Sequence, residues 1–242
     1  TESKSFNRVA TIILTILVII AMLPILLIVI ASFSAESSLI RNGYTYWPEQ
    51  WSLDAYYYMV KQSIMILRSY GVSFLVTFVG TALSVIITTM LAYPMSRKSF
   101  KYRNALAFFV FFTMLFNGGL VPTYLMYVNY FHIKNTIWAL IIPNLLLSAN
   151  NVLMIRSYFM TSIPEALYEA AKIDGAGHTK IFFQITFPLG KPILVTMGLF
   201  SALAYWNDWT NGLYYLSGNE GQKLYSIQNL LNQMITDIQY LA

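Results

Sequence analysis

Thr161-Ser-Ile-Pro-Glu-Ala-Leu-Tyr-Glu-Ala-Ala-Lys-Ile-Asp-Gly-Ala-Gly-His178, continuing as Thr179-Lys-Ile-Phe-Phe-Gln-Ile-Thr-Phe-Pro188, decides how this chain is organised. The stretch is polar and punctuated by Ala and Gly, yet it lies between two long apolar runs. Ser162 followed three residues later by Glu165 has the spacing of a capping box, with Pro164 acceptable in a first turn. Glu165 to Ile173 is Ala-rich and favours helix, and Gly175 and Gly177 offer left-handed stop positions. Thr179 can cap a second helix that Pro188 closes. The spacing predicts two short helices held outside lipid, with the small residues Ala166, Ala170 and Ala171 exposed beside Leu167, Tyr168 and Ile173. Such a mixed surface calls for a partner to cover it. A pair of helices lying flat on the membrane is the alternative, and Glu165, Glu169 and Asp174 oppose it, because anionic lipid repels carboxylates.

Working outward, hydrophobic residues make up 57% of the 242 and charged residues only 10%, against roughly a quarter charged in soluble domains. Val9 to Ala35, Ser69 to Ser96 and Thr136 to Ile155 contain no Asp, Glu, Lys or Arg. Each meets the requirement of about 20 residues for crossing a hydrocarbon core of about 30 Å. Ala105 to Tyr127 and Leu189 to Trp209 are further candidates. An all-α polytopic membrane protein is expected, with spans near 9–34, 70–95, 105–127, 136–158 and 189–210. The first run is too long for a signal-peptide core of about 7–15 residues. Because the chain opens on Thr1, it is expected to be part of a longer product.

The net charge of +5 needs no polyanionic ligand, so nucleic acid is not an expected partner. With a cytoplasmic N-terminus and alternating spans, Lys4, Arg8, Arg97, Lys98, Lys101, Arg103, Arg156, Lys172, Lys180 and Lys191 lie inside. Arg41, Lys61, Arg68, Lys134 and Lys223 lie outside, so the 15 basic residues divide 10 to 5. That is the bias of the positive-inside rule. With no cysteine in the chain, disulfides and thiolate metal sites are excluded. His132 and His178 stand alone, no metal-ligand spacing or nucleophile–base pair appears, and no phosphate-binding Gly-x-x-x-x-Gly-Lys-Ser/Thr loop is present. Catalytic residues and a bound cofactor are therefore not expected.

Several polar residues interrupt the apolar runs. Asn117-Gly118-Gly119 and Pro122 mark a weak point in the third span, either a simple kink or pore lining. In the fourth, Asn144, Ser148 and Asn151 are spaced to share one helical face, for helix–helix hydrogen bonding or a translocation path. At the end of the fifth, Tyr205-Trp206-Asn207-Asp208-Trp209 puts an acid and an amide among large rings. An aromatic girdle explains that pattern, and so does sugar binding, in which rings stack on CH faces and polar groups take hydroxyls. Between spans one and two, Trp47, Trp51 and Tyr56 to Tyr58 suit a headgroup belt. Leu53 to Leu67 can form an interfacial amphipathic helix.

Glu169-Ala170-Ala171, then Gly175, Ile185 and Phe187-Pro188 at their present spacings, resemble the EAA loop of ABC importer permeases, with Phe187 where Leu is usual. Gly119-Leu-Val-Pro-Thr-Tyr124, Asn135-Thr-Ile-Trp-Ala-Leu140, Ile173-Asp-Gly-Ala176 and Trp206-Asn207 extend the resemblance to the smaller permease of maltose-type sugar importers, over residues 8 to 235. The branch it most resembles takes oligosaccharides or polysaccharide fragments, including uronate-containing ones such as alginate.

The resemblance implies a single type I importer transmembrane domain over residues 1–242, with a sixth span expected, although no apolar run of 18 follows Asn211. It implies a bacterial inner-membrane permease without catalysis of its own. Expected partners are a second permease, two ATP-binding subunits that hold ATP and Mg, an extracytoplasmic solute-binding protein, the carbohydrate and membrane lipid. Glu165, Ala166, Glu169, Ala170, Ala171, Asp174, Gly175 and Ala176 would couple to the ATPase. Asn144, Ser148, Asn151, Tyr205, Trp206, Asn207 and Asp208 would form the substrate path. Importers of other solutes share the loop, and an ion-coupled carrier using Asp208 is the alternative of a different class.

Overall fold

A computed structural model describes residues 4–241, and they are mostly helical. The chain separates into two compact units, residues 1–65 and 66–242.

The first unit begins with α1 (Lys4–Ser32), whose apolar side chains point outward on every side. None of its 18-residue apolar window is covered by protein, so lipid is the medium that fits it. After α1 the chain turns back on itself. Ala35 N–H donates to Gln50 O at 3.0 Å, Ser52 N–H donates to Phe33 O at 2.8 Å, and Ser34 and Trp51 form an antiparallel bridge. Two short helices, α2 (Glu36–Asn42) and α3 (Asp54–Lys61), flank that bridge. The interfacial helix expected over 53–67 is thus divided, because the chain breaks at Gln62 and the remainder enters the next span. Trp47, Trp51, Tyr57 and Tyr58 are exposed, as a headgroup belt requires.

The second unit is built on α4 (Ser63–Ser96). Its buried positions include Ser69, Ser73, Gly80, Ser84, Thr88 and Ala92, a stripe of small residues at helical spacing that lets neighbours approach closely. The closest approach is at Gly80, where a Cβ would lie 2.6 Å from the Tyr205 ring. There follow α5 (Arg103–Leu115), α6 (Leu120–Leu125) running into a π-helical turn at Met126–Tyr130, α7 (Trp138–Ile141) and α8 (Ala149–Ser162).

Next come α9 (Glu165–Ile173), α10 (His178–Ile181), a π-helical turn at Phe182–Thr186 and α11 (Phe187–Leu189). The unit ends with α12 (Lys191–Asn207), α13 (Thr210–Tyr215), α14 (Gly218–Gln222) and α15 (Ile227–Leu241).

Not every expected span is one continuous helix. By length and apolarity α1 and α4 can each cross a bilayer alone. Arg103–Leu115 with Leu120–Tyr130 qualifies only as a pair bent by 115°, and His178–Leu189 with Lys191–Asn207 as a pair bent by 77°. The 115° break falls at residues 116–119, where Gly119 adopts φ +87° and Asn117 Oδ1 accepts its N–H at 2.8 Å. Segment 136–158 is not one helix. Pro143 and a left-handed Asn144 (φ +60°) interrupt it, Ser148 is extended, and regular helix resumes only at Ala149.

Candidate functional site

The hairpin 163–189 is fastened to the ends of three helices. The C-terminal ends of α4 and α8 and the N-terminal end of α12 converge on a core containing Ala92, Met95, Val152, Ile155, Phe159, Ile163 and Leu194. Tyr168 of α9, 1% exposed, and Ile181 of α10 are driven into it. Tyr168 is held by more than apolar contact. The guanidinium of Arg97, just beyond the end of α4, lies 3.3 Å from the centre of its ring, a stacked cation–π arrangement. Thr186 Oγ1 donates to its hydroxyl at 3.3 Å from the facing helical arm of the hairpin. Arg97 is 4% exposed and donates through Nη2 to Glu165 Oε1 at 3.0 Å. One buried cation therefore grips both the first residue of α9 and its inward ring. Nearby, Arg156 Nε donates to Met95 O at 3.1 Å, tying α8 to α4.

This clamp corrects the expected hairpin chemistry. Ser162 is the last residue of α8 and caps nothing, and Pro164 occupies the N-cap position of α9 in extended conformation without a side-chain bond. Glu165 spends its carboxylate on Arg97 instead. Thr179 lies inside α10, whose N-cap is Gly177. Pro188 does not close the second helix; the chain turns at Gly190, where a Cβ would meet Phe159 at 2.6 Å and Thr186 O at 2.9 Å. Gly175 takes the left-handed conformation foreseen for it (φ +75°), whereas Gly177 does not.

With Tyr168 turned in, α9 divides cleanly. Glu165, Tyr168 and the half-buried Ala171 and Ala176 face the core side. Ala166, Glu169, Ala170 and Ile173 fall at i, i+3, i+4 and i+7 and are all exposed, with Ile173 87% exposed. Asp174 and Gly175 continue that outer surface. Tyr168, expected outside, is thus the anchor, and Ala166, Glu169, Ala170, Ile173, Asp174 and Gly175 form a narrow stripe of small, acidic and apolar groups.

The other group of sequence-predicted residues lies at the opposite ends of α8 and α12. Most of them are engaged within the fold. Asn151 Nδ2 donates to Ser201 Oγ at 3.3 Å, a bond between α8 and α12. Tyr205 is buried and its hydroxyl donates to Ile141 O at 2.9 Å. Trp206 packs edge-on against Phe74 with centroids 5.2 Å apart. Asn207 Nδ2 donates to Leu203 O at 2.9 Å. The Asp208 carboxylate accepts the N–H groups of Thr210 and Asn211 at 3.2 and 3.3 Å, so it caps α13. Asn144, Ser148 and Asn151 do not share a helical face, because the turn at 143–148 separates them; Asn144 is exposed on that turn.

Three structural residues at this end escaped the sequence reading. Asn211 Nδ2 donates to Pro143 O at 3.0 Å, Asn229 Nδ2 donates to Trp209 O, and Ser73 Oγ accepts Ile227 N–H at 2.8 Å. At the hairpin end Arg97 escaped too, having been counted only as a cytoplasmic charge. Its placement directly after an apolar run, ahead of Lys98, gave no signal that it turns inward.

Comparison with known proteins adds the family. The family model described as "Binding-protein-dependent transport system inner membrane component" matches residues 2–242. Protein LplC of Bacillus subtilis is 39% identical over 215 residues, covering 89% of this chain and 70% of that protein. The polygalacturonan/rhamnogalacturonan transport system permease protein YtcP of the same organism is 36% identical over 234 residues, covering 97% and 79%. A chain from the crystal structure of a bacterial ABC transporter involved in the import of the acidic polysaccharide alginate superposes with a TM-score of 0.81 at 27% identity, covering 98% of this chain and 83% of that one.

Proposed function

The chain belongs to the family of binding-protein-dependent transport system inner membrane components, and from that premise we propose that it is the permease subunit of an ATP-driven importer of oligosaccharides or polysaccharide fragments, uronate-containing ones included. Relatives named for polygalacturonan, arabinooligosaccharide and alginate transport support a carbohydrate cargo. In this reading the hairpin end faces the cytoplasm, as does the N-terminus. A separate subunit binds and hydrolyses ATP with Mg, a second permease completes the path, and an extracytoplasmic binding protein delivers the sugar.

The observation that carries the reading is the division of α9. Its inner face is locked to α4, α8 and α12 through Tyr168 and Arg97, while Ala166, Glu169, Ala170 and Ile173 stay outside with nothing covering them. A partner that pushes on this stripe pushes on the helices that frame the path. Asp174, Gly175 and the partly covered Ala171 and Ala176 complete the docking surface. Along the path, Asn144 and Asn207 remain accessible, whereas Asn151, Tyr205 and Asp208 are tied into the fold. The capping bonds of Asp208 also weigh against an ion-coupled carrier built on that carboxylate.

The absence of cysteine makes the test direct. A lone cysteine at Ala170 or Ile173 in the assembled transporter should cross-link to the ATP-binding subunit. Glu169→Lys or Gly175→Asp should abolish saccharide uptake while the chain still inserts. No cross-link from either position, together with normal uptake in both substituted proteins, would exclude the proposal.

A further inference from the structure

The far end of the second unit holds a cavity of about 170 Å³ lined by both polar and apolar surface. Two backbone irregularities and two short helices frame it. The break at residues 116–119 contributes Asn117, and α6 contributes Leu120 and Thr123. The left-handed turn contributes Asn144, and α13 contributes Thr210 and Tyr214. Each wall is fixed from behind. Asn117 Oδ1 holds the Gly119 N–H, Thr123 Oγ1 donates to Gly119 O at 2.7 Å, and Asn211 anchors the turn through Pro143 O. Behind α13, Tyr215 stacks on Tyr124 at 5.6 Å. The cavity is thus lined by rigid backbone irregularities, which is how loops held on a scaffold present binding groups.

What lines the space has one chemistry. Three amides, two hydroxyl-bearing Thr side chains and two tyrosines surround it, together with the apolar side chain of Leu120, and no Lys, Arg, Asp or Glu takes part. We propose that this cavity is a subsite for a single pyranose ring, recognised through its hydroxyls by Asn144 and Thr210 and through its CH face by the Tyr214 ring. The assignment rests on the carbohydrate-import reading and goes beyond it in one respect. Without a cation in its lining, the subsite does not select for a uronate carboxylate, so discrimination between acidic and neutral saccharides is made elsewhere in the transporter. Asn144 suits the role because its left-handed backbone turns the amide out of the helical register, leaving it free of secondary-structure bonding.

The test uses the complete transporter in proteoliposomes with its binding protein, and a panel of labelled neutral and uronate-containing di- to tetrasaccharides at subsaturating concentration. Asn144→Gly keeps the positive φ and removes the amide, and Tyr214→Ala keeps the helix and removes the ring. Each should lower uptake of the transported saccharides about tenfold, the scale of one or two lost polar contacts, and by the same factor for neutral and acidic members. Leu213→Ala, on the same helix but outside the cavity, should leave uptake unchanged. Wild-type rates in both cavity variants would overturn the subsite while leaving the importer standing. A loss confined to uronates would overturn the uncharged-ring assignment. A wild-type transporter that moves no saccharide in the panel would instead sink the importer reading itself.

Discussion

The two ends of the α8–α12 pair are held by opposite means. At the hairpin end, a buried cation, an aromatic ring and a carboxylate close over an apolar core, and the helix they seize presents its other face outward. At the far end, no buried ion pair is found among the described residues; amides and hydroxyls bond to backbone carbonyls across turns, and the polar groups left over line a cavity. On the proposed reading the hairpin is a lever that moves as one body with the helices it drives, and dense burial suits that role. On the same reading the far end borders a passage for a hydroxylated cargo, which needs polar groups at fixed positions, and turns braced by amides supply them. If this contrast holds, substitutions at the hairpin end should cost stability and coupling together, and far-end substitutions should cost less stability.

The strongest challenge to the contrast is Tyr168→Ala. Replacing a fully buried aromatic residue by Ala costs about 3–5 kcal/mol through lost transfer energy and the cavity left behind, and here the Arg97 stack and the Thr186 bond go with it. The thermal midpoint of the purified complex should fall, and limited proteolysis should open the hairpin first. Next comes an ordering within the clamp. Glu165→Ala leaves a 4% exposed guanidinium without its carboxylate and should cost about 1–3 kcal/mol, the usual penalty for a buried group left unpaired. Arg97→Met removes the charge and refills the space, and it should cost less, because a lone buried ion is worse than a missing pair. Denaturation midpoints that rank the two the other way would show that the stacking on Tyr168, rather than the ion pair, secures α9.

How much of this was legible in the chain follows the same division. The hairpin declares itself because small residues, acids and paired glycines stand between apolar runs, and because motif identities agree over long spacings. Its outer stripe follows from helical periodicity alone. The identity of its anchor does not: the chain alone places Tyr168 among the exposed residues beside Leu167, and partners distant in sequence, Arg97 71 positions earlier, Thr186 and the core at the ends of α4 and α8, hold it inward. The same pairing takes Glu165 away from the capping box that its spacing suggested. The far end was misread for a different reason. Hydropathy makes 136–158 look continuous, yet Pro143 followed by Asn144 stops the helix, since Asn tolerates the left-handed region and its carbonyl neighbour is satisfied by Asn211 from a distant helix. Amide-to-backbone bonds of that kind leave no periodic trace. The small-residue stripe of α4, by contrast, was in plain view at Ser69, Ser73, Gly80, Ser84, Thr88 and Ala92, and its spacing could have located the buried face.

Far-end substitutions test the weaker half of the contrast. Asn211→Ala leaves Pro143 O, itself buried, without a donor and should cost about 1–2 kcal/mol, within the range for an unsatisfied buried acceptor. The smallest effect is expected at Asn151, whose amide meets Ser201 at 3.3 Å between α8 and α12. Hydrogen bonds between membrane helices average only about 0.6 kcal/mol in double-mutant cycles, because the unfolded chain in lipid also finds partners. Asn151→Ala, Ser201→Ala and the double variant, compared by thermal midpoint, should therefore yield a coupling of about that size. A much larger coupling would mean that this single bond, rather than the hairpin clamp, sets the register of α8 on α12. The lever and the cavity would then share one fastening, and the two ends could not be altered independently.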